Sequence, residues 1–141
     1  AVDIALFTIR EGSFQVLMIK RGIPPFLDFW ALPGGLIRMD IGPRGETPEE
    51  AALRELKEET GIESFVIDDS WSSRTEYTFK RKGSFIPKQV YWYIAHTEEI
   101  EVGLSEEHTN YLWLDFDSAD SMITFEQEKE LLRSAKRHIQ R

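Results

Sequence analysis

Apolar and polar positions fall along this chain in blocks that assign most of its elements. Val2 to Ile9 is a β-rich apolar run interrupted by Asp3, and Phe14 to Lys20 is a second. Glu11-Gly12-Ser13 lies between them as a turn, so the chain opens on a predicted hairpin. Arg21 to Leu27 carries Gly22, Pro24 and Pro25 and predicts a loop. Phe29 to Leu32 predicts a short strand ended by Pro33-Gly34-Gly35. A long loop, Leu36 to Glu46, follows, because Gly42, Pro43 and Gly45 forbid regular structure in its second half.

The next block is a well-marked helix. Thr47 suits the N-cap, Pro48 the first helical position, and Glu50 completes a capping box. Ala51 to Thr60 are mostly strong helix formers and Gly61 is the stop. Ala52, Leu53, Leu56 and Thr60 make the expected buried stripe. Ser64 to Ile67, Trp71 to Lys80 and Val90 to Thr97 then predict strands, with Arg81 to Lys88 connecting the last two. Tyr111 to Leu114 predicts a final short strand. Phe125 to Ile139 has a helical period, with Phe125, Leu132, Ala135 and Ile139 on or near one stripe. No repeat, linker or low-complexity tract interrupts this order. Strands, one helix, more strands and a terminal helix predict one domain over residues 1–141, an α/β fold built as an α/β/α sandwich on a mixed sheet.

Composition narrows the function. A chain of 141 residues with 41% hydrophobic and 12% aromatic positions supports one packed core. Seventeen basic against 25 acidic residues give a net charge of -8. That argues against broad, backbone-driven nucleic-acid binding, but leaves room for a small anion held by a local cluster or a metal. With no cysteine, disulfides and thiolate metal sites are excluded. No apolar run approaches the roughly 20 residues of a membrane-spanning helix. The chain begins at Ala1 rather than Met, so residues before it stay open. The expectation is a cytoplasmic protein, monomer or homodimer, with no stable nucleic-acid or membrane partner.

The chemistry lies in Arg54-Glu55-Leu56-Lys57-Glu58-Glu59-Thr60-Gly61-Ile62. On a helix, Glu55 and Glu59 share a face one turn apart and Glu58 sits beside both, so their charges repel. A divalent cation removes that penalty; magnesium prefers hard oxygen ligands and commonly combines carboxylates with substrate phosphate and water. A Glu-rich helix by itself reads as a solvated face. Three additions favour the metal: Glu46 stands eight residues before Arg54, where the two can pair; Gly61 ends the helix after the carboxylates; and Pro33-Gly34-Gly35 lets backbone approach a ligand closely.

This pattern resembles the Nudix box: Glu46, Arg54, Glu55, Leu56, Glu58, Glu59, Gly61 and Ile62 all match at the family's spacing, and Trp30-Ala31-Leu32-Pro33-Gly34-Gly35 is similar to its lead-in. One departure is that ten residues separate Gly35 from Glu46, where the family usually has five, so Arg38 to Gly45 reads as a loop insertion. The resemblance implies a magnesium-dependent pyrophosphohydrolase, with manganese as an alternative ion and a small nucleotide as substrate. It implies metal ligands at Glu55, Glu58, Glu59 and Gly35, and a structural role for Glu46 and Arg54. It leaves the general base open, with Glu55, Glu58 and Glu107 as catalytic candidates.

Two outer segments bear on substrate. Lys80, Arg81, Lys82 and Lys88 lie in one connection between aromatic strands, and Ser105-Glu106-Glu107-His108 precedes the last strand. Basic groups suit phosphates and aromatic faces suit adenine, although strand aromatics are more often core and an acidic loop is often only surface. Lys88-Gln89-Val90-Tyr91-Trp92-Tyr93, Glu107-His108 with Tyr111-Leu112-Trp113, and a terminal helix opened by Phe125 resemble the asymmetrical diadenosine tetraphosphate hydrolases. That likeness implies Lys88 on phosphate, Trp92 near a base, and Glu107 as ligand or base; Arg21 and Arg38 complete the candidate substrate contacts. The subfamily usually has Pro-Lys-Gly where this chain has Pro33-Gly34-Gly35, which fits ADP-ribose or nucleotide-sugar hydrolases better, and the Glu-His strand is shared with dihydroneopterin triphosphate hydrolases. The rival from another class is a Nudix domain that senses ADP-ribose or a nucleotide without cutting it; RNA cap removal would want a larger basic surface.

Overall fold

Two residues in the left-handed region, Glu11 (φ 52°) and Gly12 (φ 77°), turn the chain from β1 (Val2–Arg10) into β2 (Ser13–Arg21). That two-residue geometry matches the twist of antiparallel strands. The computed structural model describes residues 1–24, 26–40 and 42–140, with the backbone alone at Tyr77, Phe79 and Arg81. Pro25 and Ile41 in the two predicted loops, and those three side chains, lie outside the described residues.

β1 and β2 pair only near their turn, Phe7–Arg10 against Ser13–Val16. Beyond it they part. β2 continues against β3 (Trp30–Ala31), and β1 against β4 (Gly34–Gly35). The outer side of β1 is taken by β6 (Ser84–His96), in parallel, and that of β2 by β7 (His108–Leu114). The Trp30–Gly35 segment therefore fills a wedge between two diverging strands. Ile4 N–H donates to the Pro33 carbonyl at 2.8 Å, and Arg21 N–H to that of Phe29 at 2.9 Å. The described sheet has seven strands, and its single parallel pair makes it mixed.

β5 (Val66–Arg81) closes the far edge against β6. The sequence predicts two strands here and a long connection from Arg81 to Lys88. Instead β5 runs unbroken through a register shift between Ile67 and Ser72, and Lys82 (φ 51°) with Gly83 (φ 81°) forms a two-residue turn. Lys88 is consequently a strand residue opposite Tyr77.

Each face of the sheet carries a core. On one, Val2, Ile4, Leu6, Leu17, Ile19, Tyr93 and Ala95 pack with Ala51, Ala52 and Leu56 of α1 (Pro48–Thr60) and with Ile62. On the other, Ala5, Val16, Met18, Val90, Trp92 and Ile94 pack under α2 (Phe116–Met122) and α3 (Glu126–Ile139). This is the expected α/β/α sandwich. The sequence leaves residues 115–124 unassigned because seven residues are too few to show a period; α2 is set by Asp115, whose carboxylate caps Ser118 N–H at 2.8 Å, and by buried Phe116 and Ala119. Phe125 stands at the N-cap position of α3, without a side-chain capping bond, rather than in its stripe, and packs edge-on against Phe26 with ring centroids 5.4 Å apart.

Candidate active site

The caps of α1 form as its sequence predicts. Thr47 Oγ1 accepts from Glu50 N–H and Glu50 Oε1 from Thr47 N–H, both at 3.1 Å, and Gly61 N–H donates to the Lys57 carbonyl at 3.0 Å. The buried stripe differs in one position. Leu53 is 42% exposed, whereas Glu59, seven residues past Ala52 and so on the same face, is only 6% exposed. Its carboxylate survives there because Oε2 accepts from Gly34 N–H at 3.0 Å, across the wedge. Backbone crowding requires glycine at Gly34, while at Gly35 a side chain would have to displace the end of Glu55. A Cβ at Gly34 would fall 2.2 Å from the Val2 carbonyl oxygen, and one at Gly35 would fall 2.4 Å from Glu55 Cδ.

Arg54 organises the neighbouring carboxylates. Its Nε donates to Glu46 Oε2 at 2.7 Å and its Nη2 to Glu46 Oε1 at 2.9 Å. Nη1 reaches Glu55 Oε1 at 2.9 Å and Glu58 Oε2 at 3.1 Å, while Nη2 also holds the Leu36 carbonyl at 2.8 Å. All five guanidinium N–H groups are thereby used. Glu46 is held down to a pKa of about 2, first by the hydrogen bonds from Arg54. It also ties the neck of the inserted loop, since Glu46 Oε1 accepts from Arg38 N–H at 3.0 Å and Glu46 N–H donates to the Arg38 carbonyl at 2.7 Å.

Above this framework lies a cleft of about 650 Å³, lined by Leu36 to Asp40, Arg54, Glu55, Glu58, Glu59, Ser105 and Glu107. Burial pushes Glu59 up to about 8, with the charges of Glu55, Glu107 and Asp3 adding to it. Burial raises Glu55 as well, against the pull of Arg54. Arg38 Nη2 stands 3.6 Å from Glu58 Oε1, half-exposed at the rim. The cleft thus concentrates acidic groups whose negative charge is incompletely matched.

The NUDIX domain model matches residues 1–135. The chain belongs to the Nudix family. It is 33% identical over 125 residues to the asymmetrical bis(5'-nucleosyl)-tetraphosphatase of Rattus norvegicus, covering 86% of this chain and 76% of that protein. A stretch of 59 residues is 46% identical to an ADP-ribose pyrophosphatase of Methanocaldococcus jannaschii, covering 42% of this chain and 32% of that one. A C. elegans Ap4A hydrolase binary complex superposes with a TM-score of 0.80 at 26% identity, over 98% of this chain and 95% of that chain. As a Nudix hydrolase the protein belongs to a family of pyrophosphohydrolases that generally work with a divalent metal.

The Nudix-box residues Glu46, Arg54, Glu55, Glu58 and Glu59 come together as their spacing implies, and Gly35, Glu107 and Arg38 join them. Among the described residues, no three acidic or imidazole groups converge closely enough to hold an ion as they stand, and Arg54 occupies an oxygen of both Glu55 and Glu58. The donor set nevertheless fits a hard divalent cation: carboxylate oxygens, one deeply buried, with neighbouring acidic charges helping to raise Glu55 and Glu59.

Three expected substrate contacts lie elsewhere. Trp92 is 5% exposed in the core under α2 and α3, its Nε1–H donating to Thr75 Oγ1 at 3.0 Å, so its ring has no open face for a base. Lys88 alternates with Val90 and Trp92 and so points to that same face, where its charge acts on Asp3 and the Ala1 ammonium. Arg21 ends β2 beside His108, whose pKa is lowered by burial and then by that cation; neither residue lines the cleft. Ser105 belongs to the acidic segment the sequence singles out, but the pattern gave no sign of Leu36 or Met39 in the cleft. Asp3, the one charge inside an apolar strand, does not line the cleft, yet its charge adds to the upward shift of Glu59.

Proposed function

We propose that this Nudix hydrolase cleaves a phosphoanhydride bond of a nucleoside polyphosphate, converting diadenosine tetraphosphate and water to ATP and AMP, with magnesium as its ion and manganese able to replace it. The observation that carries the reading is the cleft lined by Glu55, Glu58 and Glu59 of one helix and by Glu107 of the turn just before β7. The likeness to the rat tetraphosphatase over most of both chains supports the choice of substrate. Glu55, Glu58, Glu59 and the Gly35 carbonyl would hold the ion. When bound, magnesium offsets phosphate charge and lowers the pKa of water. Glu107, across the cleft, accepts the proton of the attacking water, and Glu55 or Glu58 is the alternative base. Arg38 meets the phosphate chain at the rim. Arg54 and Glu46 keep the helix and loop in register without touching substrate.

ADP-ribose or a nucleotide sugar is the second reading, and Gly34 favours it. A lysine, as in the Pro-Lys-Gly lead-in, would drive its Cβ into the Val2 carbonyl unless the backbone shifted. The discriminating experiment offers diadenosine tetraphosphate, ADP-ribose, GDP-mannose and dihydroneopterin triphosphate at equal concentration with magnesium, with products identified by mass. ATP plus AMP at the highest specificity constant supports the proposal. Faster release of AMP plus ribose 5-phosphate from ADP-ribose replaces it with the second reading, and binding without turnover of any compound makes the protein a sensor.

A further inference from the structure

The inserted loop carries an apolar wall that the chemistry of the carboxylates does not use. Leu36 is 69% exposed and Met39 72%, yet both line the cleft above Glu55 and Glu58. Their backbone is held firmly. The Leu36 carbonyl is bonded to Arg54 Nη2, the next side chain, Ile37, packs into the core under α1, and Arg38 is bonded to Glu46 through both its N–H and its carbonyl. The polar anchors belong to the Arg54–Glu46 framework and Ile37 to the core beneath α1, so the wall keeps its position relative to the carboxylate helix. Two large apolar side chains fixed at the mouth of an acidic cleft mark a binding surface rather than a solvated loop. Methionine in particular adapts to flat polarizable rings.

We propose that Leu36 and Met39 form a subsite for the planar base of the nucleoside that lies beyond the scissile bond. This rests on the nucleotide-hydrolase reading above and adds the part of the substrate that the insertion recognises. The occupant follows from the surroundings. The floor of the cleft is polar and suits phosphates, and a sugar would gain little from apolar neighbours. A base offers an apolar face within reach of the same phosphate chain. The volume of about 650 Å³ falls in the range of sites that enclose a whole small ligand rather than an anion alone.

The test compares diadenosine tetraphosphate with adenosine 5'-tetraphosphate, which has the same number of phosphates and lacks the second adenosine, the AMP and ribose 5-phosphate comparison below separating base from ribose. Wild-type protein should prefer the dinucleoside by about tenfold or more in kcat/KM. The double variant Leu36→Ser, Met39→Ser should bring that ratio close to one, mainly through KM, with its melting temperature unchanged because both side chains are exposed. Equal use of the two tetraphosphates by the wild type overturns the proposal, as does a folded double variant that keeps the preference. If neither tetraphosphate is cleaved, the substrate reading fails separately. The wall is then judged on whichever nucleotide is cleaved, by inhibition with AMP against ribose 5-phosphate. Stronger inhibition by AMP that the double variant abolishes supports the base subsite. Equal inhibition, or AMP inhibition that survives the substitutions, refutes it. Where no compound is cleaved, equilibrium binding of AMP and ribose 5-phosphate to wild type and double variant separates the same two outcomes.

Discussion

Arg54 and Glu46 meet through two parallel hydrogen bonds, Nε to Oε2 at 2.7 Å and Nη2 to Oε1 at 2.9 Å, joining the helix that carries the site to the neck of the inserted loop. The pair is largely shielded from solvent, with side-chain exposures of 16% and 6%. Arg54→Ala leaves Glu46 buried without its partner and frees the Leu36 carbonyl. The expected cost is about 3 kcal/mol, with a large loss of kcat. Arg54→Lys should recover only part, since an ammonium cannot make the paired geometry. Thermal melts and steady-state rates check this; an alanine variant with wild-type melting temperature and metal affinity would show that the pair braces nothing.

Glu59→Gln keeps an oxygen for Gly34 N–H but removes the carboxyl group that a divalent ion could ionise. The fold should be retained, and turnover at saturating magnesium should fall by about a hundredfold or more if Glu59 is the metal ligand proposed above. Wild-type turnover in the purified variant would remove Glu59 from the site.

The same carboxylate sets a pH dependence. Glu59 has a pKa of about 8 in the folded chain, against an ordinary value of 4.5. A group raised on folding contributes stability that is complete below its unfolded value and is lost as pH rises through the folded one. In EDTA, the melting temperature should therefore fall between pH 4.5 and 8. Magnesium, which favours the ionised carboxylate, should reduce that fall, and Glu59→Gln should lessen it, the remainder coming from Asp3, Glu55 and Glu128, which burial also raises. A melting profile in EDTA that is identical for wild type and variant would contradict the assignment.

The two lead-in glycines should respond differently to substitution. A Cβ at Gly34 meets backbone, whereas one at Gly35 meets the end of the Glu55 side chain. Gly34→Ala should cost about 1–3 kcal/mol by overpacking. Gly35→Ala should cost less stability but displace Glu55, lowering activity more than melting temperature. Denaturation and rate measurements on both variants decide it, and the reverse order would be incompatible with the wedge geometry.

Trp92→Ala should destabilise the protein by about 3–5 kcal/mol, the loss expected for a large core aromatic. Trp92→Phe should recover most of that stability and leave KM for nucleotides nearly unchanged. A specific rise in KM with unaltered stability would return Trp92 to the substrate site.

What the sequence determined on its own is what contiguous residues carry. Thr47, Pro48, Glu50 and Gly61 specify the ends of α1 through bonds within a few residues, and the Arg54-to-Ile62 spacing places three carboxylates together because a helix repeats every 3.6 residues. The Glu46–Arg54 pair and the sandwich of helices on a mixed sheet were legible for similar reasons. Tertiary structure decided the rest, because no local pattern states which face of a sheet a strand residue takes; that depends on register with distant strands. Lys88 and Trp92 share the α3 face only because β6 lies parallel to β1, with Trp92 opposite Asp3. Glu59 can be buried because β1 and β2 diverge and admit Gly34 between them, offering one N–H to a carboxylate that would otherwise need water.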